Sequence, residues 1–120
     1  MKRFPLIALV LVTGSASAHQ LESQLPSGLD SALRCAYFAG KAELSPVPYE
    51  EVALRIAKEA YTELSGDGLT IKFAEDYALA ATGAYSQVNS FADRQQGTVR
   101  EQLRKGAVEL MKVNQCEEVK

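Results

Sequence analysis

The chain has 120 residues, of which 47% are hydrophobic, with 13 Lys and Arg against 15 Asp and Glu. That length allows one modest core rather than two. The mildly acidic balance, 8% aromatic residues and lack of tryptophan argue against nucleic acid or an anionic membrane surface as the partner.

The first residues read as a secretory signal peptide: Lys2 and Arg3, an apolar run from Leu6 to Val12, and the small-residue site Ala16-Ser17-Ala18. The run is far shorter than the ~20 residues that span a bilayer, so no membrane insertion is expected after cleavage. Residues 1–18 are thus assigned to the signal, 19–28 to an N-terminal strap and 29–120 to a single helical domain. Losing Lys2 and Arg3 leaves 11 basic residues against 15 acidic ones, a net charge of −4 for a periplasmic or secreted product. Two cysteines in such a chain, Cys35 and Cys116, are most simply one disulfide.

In the strap, Leu21 and Leu25 are placed to tuck against the body. The stretch Leu29 to Leu44 has helical spacing and apolar residues nearly all round, leaving only Asp30, Arg34 and Lys41 for water. Such a helix belongs inside a domain with neighbours on several sides. Ser27 or Asp30 is available to cap it, and Asp30 stands four residues before Arg34 for a surface pair. Ser45-Pro46-Val47-Pro48 forces an extended crossing.

A second helix is expected from Pro48, with Tyr49, Ala53, Ile56, Ala57, Ala60 and Leu64 on its inner face. Ser65-Gly66-Asp67-Gly68 reads as the turn that stops it, and lacks the alternating oxygen ligands of a calcium loop. A third helix, Ile71 to Arg94, carries Phe73, Ala74, Tyr77, Ala78, Ala81, Ala84, Tyr85, Val88, Phe91 and Ala92 inside, with Asp76 and Gly83 outside. Thr98-Val99-Arg100-Glu101 has the form of a capping box opening a fourth helix. Its inner face is expected to be Val99, Leu103, Gly106, Ala107, Leu110 and Val113. Near Asn114 the chain must turn back to bring Cys116 to Cys35, and asparagine suits a left-handed turn. The pattern predicts an all-α, antiparallel four-helix bundle with one disulfide.

Candidate chemistry is sparse. His19, the lone histidine, lacks the second histidine that a copper brace needs, so no metal or other cofactor is expected. The pairs Glu50/Glu51, Glu75/Asp76 and Glu117/Glu118 are adjacent in sequence and diverge on a helix, which is poor geometry for shared acid/base work. Tyr77 and Tyr85, two turns apart, are the candidate lining of a small cleft. The turns Ser65, Gly66, Asp67, Gly68 and Ser45 to Pro48, with the basic side of the fourth helix at Arg100, Arg104 and Lys105, are the candidate partner contacts.

The export signal, Leu33-Arg34-Cys35-Ala36 in an early helix and the late Cys116 resemble, in outline, the small helical periplasmic immunity proteins that neutralise amidase toxins delivered by type VI secretion. That resemblance implies an exported, disulfide-bonded protein that dimerises or plugs a toxin cleft with a loop. The outline is also similar to the acid-stress chaperones of the periplasm, small helical proteins held by one disulfide. The expectation is a non-enzymatic periplasmic protein-binding domain, an inhibitor or immunity protein, whose partner is another periplasmic protein or a second copy in a homodimer. An acid-stress chaperone and a small-ligand carrier are the alternatives. Intact mass spectrometry of the exported product should give a chain beginning at His19 with no free thiol; an uncleaved leader or two alkylatable cysteines refutes the export reading.

Overall fold

The computed structural model describes residues 25–120, so the signal peptide, His19 and Leu21 lie outside the described residues. The described chain is all-helical and has no strand: α1 Leu29–Lys41, α2 Val47–Ala60, α3 Gly66–Ala92 and α4 Val99–Val113, then a single tight turn Cys116–Glu118. Cys35 and Cys116 are bonded, with Cα atoms 5.7 Å apart.

Helix α1 is the shared wall, packing against all three other helices and the last turn. Its first half joins α2 and the middle of α3 in a cluster of Leu29, Ala32, Leu33, Ala53, Ala57 and Ala80. Its second half joins α3 and α4 in a cluster of Cys35, Phe38, Ala84, Val88, Leu110 and Cys116. Val119 packs against both. Ser31, Gly40 and Lys41 are exposed on α1 and Asp30, Arg34 and Tyr37 half-buried, so its wet side is wider than the stripe expected.

The ends of α1 depart from the sequence reading. No side chain caps its start; Gly28 stands there at φ 84, and the Pro26 carbonyl accepts the Leu29 N–H at 3.0 Å. Helix α1 stops at Lys41 rather than Leu44 because Glu43 turns left-handed at φ 63. The Leu44 and Glu43 amides then close back on the Ala39 and Gly40 carbonyls at 2.8 and 3.2 Å, satisfying the helix end. This turn carries Leu44 out to 54% exposure.

Helix α2 starts one residue before Pro48 and ends at Ala60, where Tyr61 leaves the helix to bond Asp76. Ala60, expected inside, is exposed as a result. Ser65-Gly66-Asp67-Gly68 is not a loop: Ser65 is extended before α3, and Gly66 to Gly68 form its first turn, where Asp67 meets the positive end of the helix dipole. Helix α3, at 27 residues about 40 Å long, buries Asp76, Ala80, Ala84, Val88 and Ala92. Ala74, Ala78 and Tyr85, assigned to the inner stripe, face solvent.

Gly83 has a structural reason: the Arg34 guanidinium lies over it, only 2.6 Å from where a Cβ would stand. Arg34 is held there by Asp30 at 2.9 Å and Gln87 at 3.1 Å. On α4, Leu103, Gly106, Ala107 and Leu110 form the inner face, while Val99 and Val113 are 71% and 67% exposed. Both sit at helix ends, beyond the length over which α3 and α1 cover α4. The left-handed residue before Cys116 is Gln115, φ 53, because Asn114 stays at the helix end with its side-chain amide on the Leu110 carbonyl at 2.8 Å.

Gly106 marks the closest helix approach. A Cβ there would stand 2.8 Å from the Ala92 nitrogen and 3.1 Å from the Phe91 carbonyl carbon, both backbone. Gly106→Ala should destabilise the fold by about 1–3 kcal/mol, whereas Gly40→Ala, with nothing within 4 Å, should stabilise it by about 0.5–1 kcal/mol. Urea denaturation of the oxidised variants checks both signs.

Candidate functional site

One hollow lies beside the disulfide, where the turn after α1, the start of α2 and the end of α4 converge. It is a groove of about 340 Å³ walled by Leu44, Tyr49, Val108, Met111, Lys112 and the segment Gln115 to Glu118. The turn at Glu43 places Leu44 on one side. The disulfide draws the last turn across the bundle to make the other, and Lys112, Glu117 and Glu118 of its lining are exposed. The same segment walls a second hollow of about 310 Å³ with Gly28, Val52, Ile56 and Val119. The tail is held on its far side by Arg55, which donates to the Lys120 carbonyl at 2.6 Å. A third hollow, 400 Å³, is walled by α2 alone, and one helix encloses nothing.

Glu43 also ties the groove to α4. Its carboxylate accepts from the Arg100 Nε at 2.6 Å and lies 3.9 Å from the Arg104 Nε. Arg100 and Arg104 therefore serve an internal contact, and Lys105 donates to the Gln96 carbonyl at 3.1 Å. The α4 start has the expected cap: the Glu101 amide donates to the Thr98 hydroxyl at 3.2 Å, which donates to the Glu101 carboxylate at 3.1 Å. That hydroxyl chiefly holds the Glu101 carboxyl below its usual range.

Ser65, Gly66, Asp67 and Gly68 are all exposed at the start of α3, and none of them borders the groove. Tyr77 and Tyr85 line none of the three hollows and do not come together: Tyr77 faces Glu50 of α2, and Tyr85 stands near Tyr37 of α1. Sequence reasoning missed Leu44, Val108 and Met111. The signal available was the pair Val108 and Met111, three residues apart on the flank of the inner face of α4.

Asp76 is the one buried charged side chain among the described residues, 2% exposed. Tyr61 donates to it at 2.6 Å and Lys72 lies 3.1 Å from its other oxygen. Burial, then the bond to Asp76, pushes the Tyr61 phenol well above its ordinary value. Burial, then the Glu50 carboxylate, pushes Tyr77 up to about 12. Burial raises Tyr37, with Tyr85 adding to it. These groups fasten α2 and α1 to α3. No group of three His, Cys, Asp or Glu among the described residues is placed to hold a metal ion. No described helix is long and apolar enough to cross a membrane.

Comparison with protein-family models, with curated proteins and with solved structures finds no match.

A phenol whose folded pKa lies above its unfolded value near 10 contributes stability that is complete below pH 10 and is lost as pH rises through the folded value. For Tyr77 that window runs from about pH 10 to about 12. Tyr77→Phe should flatten the fall of the urea midpoint across this window relative to the parent chain. An unchanged slope refutes the assignment.

Proposed function

We propose that this chain is an exported, non-catalytic protein-binding module of the periplasm, an inhibitor or immunity-type factor, released by cleavage after Ala18 and built as an antiparallel four-helix bundle. The bundle reading is supported by the order of contacts along α1. Leu29 and Leu33 near its start meet Ala53 and Ala57 late in α2, and Phe38 near its end shares a cluster with Tyr49 at the α2 start. A disulfide fits the oxidising side of a membrane.

The observation that carries the binding role is the groove. Its lining joins apolar Leu44, Tyr49, Val108 and Met111 to exposed Lys112, Glu117 and Glu118. An apolar centre ringed by solvated charge is the anatomy of a protein-binding surface. The tyrosines whose phenols are raised meet carboxylates between elements, Tyr61 on Asp76 and Tyr77 beside Glu50. They serve packing in this reading, and none is assigned to turnover. The partner engages the groove with an apolar side chain or short segment, with the exposed Lys112, Glu117 and Glu118 of the lining setting its orientation.

Immobilised mature chain, oxidised and at physiological salt, should retain a protein from periplasmic extract of its source cells. Met111→Glu should reduce that retention by about tenfold or more, while Lys58→Glu on the outer side of α2 leaves it unchanged. Equal retention by the parent and Met111→Glu refutes the groove as the binding site.

A further inference from the structure

The chain offers an oxidant very little. Of its two methionines, Met1 heads the leader and Met111 lines the groove; there is no tryptophan, and the two cysteines are bonded to each other. Cys116 also borders the groove, yet it is 1% exposed and, paired with Cys35, carries no thiolate. Met111 therefore holds the only thioether among the described residues, half-buried in the wall of an open hollow.

That position gives its oxidation a consequence. Met111 packs against the buried cluster that contains Cys35, Phe38 and Leu110, and it lines the groove together with Leu44, Tyr49 and Val108. Leucine, which α4 uses at Leu103 and Leu110, has a similar volume and takes up no oxygen. Methionine adapts its shape to varied occupants, and one added oxygen turns it from an apolar side chain into a polar one.

We propose that Met111 is an oxidation site that regulates the groove, a peroxide converting its thioether to the sulfoxide and so closing the groove to apolar occupants. This control rests on the groove being the binding site proposed above. In the step, a sulfur lone pair attacks one oxygen of hydrogen peroxide, and an S–O bond forms as the O–O bond breaks. The hydroxyl on sulfur passes its proton to the departing hydroxide, which leaves as water; sulfur gives up two electrons and the peroxide takes them. A sulfoxide reductase that draws two electrons and two protons from a dithiol restores the thioether and releases the oxygen as water. While the groove is open the sulfoxide oxygen is solvated. An apolar group seated on it removes that water, and Leu44 and Val108 have no side-chain donor to replace it.

The test treats the disulfide-bonded mature chain with hydrogen peroxide, natively and in urea, and maps oxygen uptake by peptide mass spectrometry. Met111 should gain one oxygen at a native rate within about tenfold of its rate in the unfolded chain, with far-UV circular dichroism unchanged. The uncharged dye Nile red, titrated as a probe of the groove, should bind the peroxide-treated chain about tenfold or more weakly than the untreated one. Met111→Leu should bind the dye like the parent chain and keep that affinity after peroxide. Resistance of Met111 to peroxide in the native chain, helicity lost on oxidation, dye affinity unchanged in the sulfoxide, or an equal loss in Met111→Leu overturns the proposal. Failure of the groove itself reads differently. The untreated parent then binds the dye no better than Met111→Glu does, whatever peroxide does to Met111, and the control falls with the groove.

Discussion

The covalent tie between Cys35 and Cys116 is the constraint on which the rest of the molecule depends. It joins the middle of the most buried helix to a turn 81 residues later, and chain-entropy arithmetic gives a closure of that size about 4.5 kcal/mol. Against a typical domain stability of about 5–15 kcal/mol, that is a large share. Its structural effect is local as well as global. It fastens the segment after α4 to α1, beside the Arg55 bond to the Lys120 carbonyl, and that segment is a wall of both hollows that meet there. The same tie seats Val119 where the two core clusters adjoin.

Around that staple the helices meet through small side chains, with alanine at Ala53, Ala57, Ala80, Ala84 and Ala107 and a backbone-to-backbone approach at Gly106. Close helices leave little room for polar groups, and those present at the seams are paired, Arg34 over Gly83 and Tyr61 on Asp76, while Glu43 meets Arg100 at the surface. No buried side-chain nitrogen or oxygen among the described residues lacks a partner, which is what a burial cost of ~1–3 kcal/mol per orphaned group demands. Glu43 shows how far this goes. It holds a left-handed backbone that favours glycine, and its carboxylate gives the turn a contact with α4 that glycine would lack.

The two open apolar surfaces have different origins. The groove is assembled from four separate parts of the chain, one of them the segment that the staple ties to α1. The α3 face of Ala74, Ala78 and Tyr85 belongs to one continuous stretch and depends on the fold only in being left uncovered. A surface of the first kind is a property of the tertiary structure, whereas one of the second kind is written in a single helix.

Much of the architecture was legible in the residues themselves. Helical periodicity found four helices, the near absence of a wet side marked α1 as central, the cysteine count predicted the pairing, and Thr98 with Glu101 marked the start of α4. These are local or covalent properties, settled within one or two turns or by having a single possible partner. What the sequence misled on were the places where a neighbour decides. Ala74, Ala78 and Tyr85 look as buried as Ala80 and Ala84 until the side from which α1 and α4 approach is known. Asp76 looks solvated until Tyr61 leaves α2 to meet it. Gly83 looks purposeless until Arg34 lies over it. Leu44, Val108 and Met111 form one groove only because Glu43 and Gln115 turn left-handed at two distant points and a disulfide draws the second onto the first. Periodicity states which residues share a face of a helix; which face is covered, and by what, is decided by packing between segments far apart in the chain.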